Sequence, residues 1–547
     1  MRSDMIKLGV DKAPQRAMLK GMGYINEEIA NPFIGVISSN NEISPGHRHL
    51  RELVQAVKDG IRLAGGTPVE INAVSVCDGI ALGHTGVNYA LASREIVADT
   101  VETIIGAHGF DAVVLIPNCE KVVAGMLIGA VRADIPSILV SGGAAQPGYL
   151  EGNQIDLASI FERVEGIKAG KENSNNLAEM EENACPGCGA CAGMPNAHSM
   201  SLAAEALGMA LPNSTTCAAG HAQLIRLAKR AGLKIMELLL TNLRPSQVIS
   251  LKSLRNAIAV DAAMGGSPSV LLHLRAIAYE LGITIDQTMV NSIYDSVPVL
   301  CRLRPDSNWQ VNDLHAAGGL PALMALLDKK DLLDTGVPVV AGKTLRQVIP
   351  TGISDKAEIF KQYQQRSGLM AITGNLAPEG AILTWKGATI PNSVSGPARV
   401  FDSAKDAEEG IKAGKILPGN IIVIRYEGPR GGPGMQELAA PQTELSLHSA
   451  CRQTAIVTDG RFSGWFTGLA VQHVSPEAAA GGPLANVLDG DLIIIDPVSR
   501  SIDICISQQE LAKRAKNWAS PAPKVKSGYL AKYARHVSSA AAGAVTR

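Results

Sequence analysis

The chain has 547 residues, 46% hydrophobic and 18% charged, with a formal net charge of −1. So apolar a chain is not disordered, and its length exceeds one ordinary core, so two or three domains are expected. Acidic and basic residues spread evenly exclude an electrostatic grip on nucleic acid or an anionic membrane, and no window reaches about 18 uninterrupted apolar residues.

The opening stretch MRSDMIKLGVDKAPQRAML has neither an apolar signal core nor transit-peptide composition, so a soluble, cytoplasmic protein is expected. In that setting nine cysteines read as thiols or metal ligands rather than a disulfide framework.

The first 150 residues alternate strand and helix signals. PFIGVISS (32–39), PVEINAVSV (68–76), DAVVLI (111–116) and PSILVS (136–141) are short β-branched runs, with helical patterns near 48–65, 92–108 and 122–133. This rhythm predicts a parallel sheet with helices on its faces, and in such sheets ligands collect at the C-terminal strand ends. Cys77-Asp78-Gly79 and Asn118-Cys119-Glu120-Lys121 both fall at such ends. From about 198 to 295 the pattern is mostly helical, and 328–350 reads as a linker. Then come short strands separated by Gly and Pro: GAILT, ARVFD, NIIVIRYEG, TAIVTDG, GDLIIIDP and SIDICI. The expected architecture is therefore an α/β domain over 1–345 with helical additions, followed by a β-rich domain over 346–547, a barrel or a sandwich. A final helix near 508–517 and a small-residue tail close the chain.

ACPGCGACAGM sets Cys185, Cys188 and Cys191 at C-x2-C-x2-C spacing. Thiolates hold iron–sulfur clusters or zinc, and Gly and Pro between them suit a tight ligand loop; a structural zinc site would need a second Cys or His pair, which does not follow. Not all three need be ligands. Cys217, Cys301, Cys451 and Cys505 read instead as small buried hydrophobes. Cys77 and Cys119 are each followed by a carboxylate, and carboxylates favour Mg2+ or Mn2+. The pairing suggests a soft cluster beside a hard cation. The Gly-rich EGPRGGPGM lacks the G-K-[ST] ending of a P-loop and reads as a tight turn. TDGRFSG is not the G-x-S-x-G nucleophile elbow.

Taken together, VCDGIALGHTGVNYALASREIVADTVE, IPNCEKVVAGML, ACPGCGACAGM, GNLAPEGA, GPARVFDS, VIRYEGPRGGPGMQEL, TDGRFSG and HVSPEAAAGGPLA resemble, in order, the signature blocks of the dihydroxy-acid dehydratase and phosphogluconate dehydratase family. The similarity runs essentially from Met1 to the C-terminal GYLAKYARHVSSAAAGAV, and the wording is nearest the branch that serves valine, leucine and isoleucine synthesis. The resemblance implies a hydro-lyase that turns a 2,3-dihydroxy carboxylic acid into a 2-keto acid.

It also implies roles. Cys119 and Cys191 match the family's cluster ligands. The third cysteine of 2Fe–2S members is missing, because the corresponding block reads Ser44-Pro45-Gly46-His47; Cys77 is the expected replacement, with 2Fe–2S favoured over 4Fe–4S. Asp78, Glu120, Lys121 and Glu437 match the Mg2+ ligands, Lys121 as a carbamate. Ser463 matches the proposed base. The family's members are homodimers or homotetramers. Three blocks depart from the pattern: Glu120 stands where aspartate is usual, SGWFTG (463–468) replaces SGGTRG, and GGSPSVLLHL (265–274) replaces GGSTNTVLHL. These departures keep two other readings open, a paralogue acting on a sugar acid or specialised metabolite, and a non-catalytic iron–sulfur sensor.

Overall fold

In the computed structural model, every residue is described except 169, 194–197, 352–357, 387–389, 448–453 and 463–467, with backbone alone at 446–447. Four parallel strands, β1 (Phe33–Ser38), β2 (Thr67–Asn72), β3 (Ala112–Ile116) and β4 (Ser137–Leu139), form a sheet in the order β2-β1-β3-β4. The helices between them are α1 (Leu50–Leu63), α2 (Asn88–His108) and α3 (Glu120–Ala133). The strands are apolar at nearly every position because both faces are covered. Ile34, Val36, Val114 and Ile116 enter a core with α1, while Phe33, Ile37, Val113 and Leu115 enter another with α2. The α2 helix begins at Asn88, a few residues before the expected start.

Helices α2 and α3 touch backbone to backbone. A Cβ on Gly125 would lie 2.6 Å from the carbonyl oxygen of Arg94, and one on Gly129 would lie 2.6 Å from Cβ of Val101. Only glycine at these positions lets α3 approach α2 this closely, against Arg94 and Val101.

The middle of the chain is helical, as its pattern predicts; α4 (Leu251–Ala263) and α5 (Pro268–Glu280) are two of its helices. Buried on α4, Asp261 accepts from Tyr294 Oη at 2.7 Å and from the Ser267 amide at 2.9 Å. Burial pushes its carboxyl up to about 7, against the pull of those two donors. Its unfolded value is near ~3.9, so between these pH values the folded state binds more protons and stability falls as pH rises, by up to ~1.4 kcal/mol per pH unit. Asp261→Asn keeps an acceptor for both donors and removes the titration. Thermal melts from pH 4.5 to 7.5 should show the wild type losing Tm relative to the variant; parallel curves would refute the assignment.

The C-terminal half resolves the choice between barrel and sandwich. Strands β5 (Leu369–Ile372), β6 (Gly380–Lys386), β7 (Val394–Phe401), β8 (Ile421–Ile424), β9 (Ala455–Thr458), β10 (Gly468–Ser475), β11 (Leu492–Asp496) and β12 (Ser501–Ile504) form one eight-stranded sheet, ordered β5-β6-β10-β9-β8-β7-β11-β12. Its two edges meet where Thr373, just after β5, bridges Ser501 of β12, with Thr373 N donating to Arg500 O at 3.0 Å and Ile502 N to Thr373 O at 2.8 Å. The sheet is thus a nearly closed barrel, which hides the strand edges. Val423, Val457 and Val471 fill its interior, and Ile422, Ile424 and Ile456 pack outward.

The predicted helix near 508–517 is Gln508–Asn517, and a further helix, α6 (Gly528–His536), lies in what reads as a plain tail. Cys217 and Cys301 are buried, as expected; Cys505 is exposed, a correction, because it follows β12 where the chain leaves the barrel wall. Cys451 lies outside the described residues. No helix among the described residues is long and apolar enough to cross a membrane.

Candidate active site

The C-terminal ends of β2 and β3 build the site, as the strand-end rule predicts. After β2 the chain reaches Cys77, which precedes the single turn Asp78–Ala81; after β3 it reaches Cys119, the residue before α3. Glu120 and Lys121 therefore form the first turn of α3, and both are buried at 1% exposure. Such depth demands partners, and each has them. Lys121 Nζ donates to Asp78 Oδ2 and to Glu120 Oε2 (2.6 Å), and Glu437 Oε1 lies 3.7 Å away. The three carboxylates expected as cation ligands thus surround the expected fourth, with Glu437 contributed by the loop after β8.

Burial pushes the Glu120 carboxyl up, but the Lys121 ammonium, His273 and Arg461 pull it well below the usual carboxylate range. Burial likewise lowers Lys121, and Asp78 and Glu120 overcome it, holding the ammonium above its ordinary pKa. Asp78 Oδ1 has no hydrogen-bond partner, and Glu120 Oε1 has only the approach of His273 Nε2 at 3.5 Å, long for a hydrogen bond. Orphaned carboxylate oxygens in a buried acidic pocket are the donor set a hard divalent cation takes, so the residues fit one. Among the described residues no three His, Cys, Asp or Glu side chains already stand at metal-holding spacing. The carboxylates converge on the lysine instead.

The sulfurs gather beside this group. Burial first, then Cys77, Asp78 and Cys191, push the Cys119 thiol well up; burial, Cys77, Asp78 and Cys185 push Cys191 up to about 12. Thiolates crowded against each other and a carboxylate are stable only when a cation neutralises them, which suits iron. Backbone bonds hold the Cys191 loop in place: Ala145 N donates to Ala190 O at 2.6 Å and Gly189 N to Pro45 O at 3.1 Å. The segment that lacks the family's third cysteine therefore lies against the cysteine loop. Asn118 ties it down, donating from Nδ2 to Gly46 O at 2.6 Å.

Further residues complete the site. Arg461, fully buried, donates from Nε to Met435 O at 2.7 Å and sets Nη1 3.1 Å from Glu437 Oε1. His47 bonds through Nδ1 to Ser39 Oγ at 2.9 Å and leaves Nε2 without a partner; burial pushes its pKa down to about 4. His273, on α5, is likewise pushed down to about 4 by burial, against the pull of Glu120. A motif containing Arg461 could have suggested it, because a buried carboxylate needs a counter-charge; nothing local singles out the histidines. Ser463 lies outside the described residues, as do Trp465 and Phe466.

Two family models match the chain: the N-terminal model of dihydroxy-acid/6-phosphogluconate dehydratases over residues 31–348 and the C-terminal model over 357–544. The chain is 48% identical over 551 residues to the dihydroxy-acid dehydratase of Acetivibrio thermocellus, covering 100% of this chain and 99% of the relative. It is 46% identical to the proteins of the same name from Caldanaerobacter subterraneus and Moorella thermoacetica, covering 100% of this chain and 99% and 100% of theirs. With both models matched in order and the likeness running end to end, the chain belongs to the dihydroxy-acid/6-phosphogluconate dehydratase family.

Proposed function

We propose that the protein is a hydro-lyase, a dihydroxy-acid dehydratase that removes water from a 2,3-dihydroxy carboxylic acid of the 2,3-dihydroxy-3-methylbutanoate type. The product is a 2-keto acid, on the route to valine and isoleucine. The observation that carries this reading is the convergence of Asp78, Glu120 and Glu437 on Lys121 beside three thiols. Near-half identity with dihydroxy-acid dehydratases favours this substrate over a sugar acid.

Membership of the family implies two cofactors, an iron–sulfur cluster and Mg2+. Asp78, Glu120, Glu437 and Lys121 as a carbamate hold Mg2+, with Mn2+ the alternative; Cys119, Cys191 and Cys77 hold the cluster, 2Fe–2S in preference to 4Fe–4S. When bound, these groups supply Lewis acidity at the substrate carboxylate and 2-hydroxyl and at the departing 3-hydroxyl. Ser463 takes the C2 proton. Its place two residues after Arg461, itself beside Glu437, supports that role. Loss of the C2 proton and the 3-hydroxyl together removes one water and leaves an enol, which tautomerises to the keto acid without redox change.

The protein acts in the cytoplasm as a homodimer or homotetramer; exposed Met5, Leu8, Val10, Met18 and Met22 on the N-terminal arm support association.

Anaerobically prepared protein with Mg2+ should contain iron and dehydrate 2,3-dihydroxy-3-methylbutanoate in preference to aldonic acids. Ser463→Ala should keep the iron and lose the turnover. Preference for an aldonic acid would transfer the protein to the sugar-acid branch, and iron without turnover of any hydroxy acid would favour a sensor.

A further inference from the structure

Residues 543–546 follow helix α6, and Ala544 and Val545 among them are fully buried. Arg94, fully buried on α2, donates from Nη2 to the carbonyls of Gly543 at 2.8 Å and Ala544 at 2.7 Å. Its neighbour Glu95 accepts through Oε2 from the Thr546 amide and hydroxyl, both at 3.0 Å. Arg94 Nε donates to Glu95 Oε1 at 2.9 Å, so the pair is itself closed. Two carbonyls and two donors of one segment thus fasten one buried ion pair.

The guanidinium has one arm left, Nη1, which lies 3.2 Å from His273 Nδ1. A guanidinium only donates, so Nδ1 must accept, and the neutral ring carries its hydrogen on Nε2. That Nε2–H stands 3.5 Å from Glu120 Oε1, while Glu120 Oε2 meets Lys121 at 2.6 Å.

We propose that segment 543–546 is a positioning strap for the cation site. It holds Arg94, Arg94 fixes the tautomer and ring of His273, and the dipole of the His273 Nε2–H, which faces Oε1 from 3.5 Å without closing a hydrogen bond, biases the rotation of the Glu120 carboxylate. Arg94, Glu95, His273 and Thr546 are positioning residues, each acting through another side chain. The strap rests on the reading of Glu120 as a cation ligand. Groups that orient a metal's ligands from behind typically change metal affinity about 10–100-fold when lost, whereas a clamp that merely stabilises the fold would leave affinity alone.

The test titrates Mn2+ into the iron-loaded full chain and follows free Mn2+ by its electron paramagnetic resonance. His273→Gln sets an amide N–H where Nε2 was, facing Glu120, while His273→Asn reaches only the Nδ1 position, facing Arg94. The glutamine variant should stay close to wild-type affinity and the asparagine variant should bind about 10–100-fold more weakly. A chain stopped at Ala542 should weaken in the same range. Equal affinities for the two His273 variants overturn the strap, as does wild-type affinity in a folded shortened chain; if the shortened chain does not fold, the His273 pair decides. Glu120→Gln separates the two levels. Unchanged Mn2+ affinity there would remove Glu120 from the ligand set, whereas weakened affinity there with none in His273→Asn would sink the strap alone.

Discussion

Replacing Lys121 by arginine is expected to lower kcat about a thousandfold while the protein still folds and still loads iron. Arginine keeps a positive charge among Asp78, Glu120 and Glu437, the electrostatic service the ammonium performs now. It cannot become a carbamate, because a guanidinium stays protonated and offers no free amine. The missing oxygen donor would weaken Lewis-acid stabilisation worth several kcal/mol, and each 1.36 kcal/mol is about tenfold in rate. Two measurements check the expectation: kcat at saturating Mg2+, and the 13C signal of a carbamate after growth in labelled bicarbonate, present in the wild type and absent in Lys121→Arg. Full turnover in the arginine variant would reduce Lys121 to a structural cation.

Arg461→Met should cost on the order of 3–5 kcal/mol of stability, the usual price of stripping one partner from a buried ion pair. Methionine replaces the apolar stem as far as the Nε position but removes the bond to Met435 O and the cation 3.1 Å from Glu437. Urea unfolding of the metal-free protein reads the loss directly. Mg2+ should restore part of it, since a cation on the carboxylates takes over the missing charge, and saturation at 100 times Kd contributes about 2.7 kcal/mol. An unchanged unfolding midpoint would show that Glu437 is stabilised without Arg461.

Much of this was legible because it is local. Runs such as DAVVLI and PSILVS announce buried parallel strands, and the residues placed immediately after two of those strands are the ones the fold gathers into the site. Thiol followed by carboxylate is legible as chemistry wherever it stands. The closed barrel was not legible, because the Thr373–Ser501 bridge that joins its edges depends on pairing across more than a hundred residues. Helix α6 was hidden in a tail whose alanines and glycines read as filler. Arg94, His273 and Arg461 were overlooked for the same reason: each is an ordinary residue in its own element, and only a partner distant in sequence gives it a task. Glu120 was conspicuous as the unusual letter of its block, but the sequence could not say what accommodates its extra methylene. It spans the space between Lys121 and His273.

The bond between Arg94 and Ala544 joins residues 450 apart in sequence. At about 5–20 residues per second of synthesis, Arg94 waits roughly 20 to 90 s on the ribosome for that carbonyl. Throughout that interval the parallel sheet can form, yet His273 and Glu120 lack their finished support. If segment 543–546 acts as the strap proposed above, a cation that enters before those residues are made meets a Glu120 whose backing through Arg94 and His273 is still incomplete.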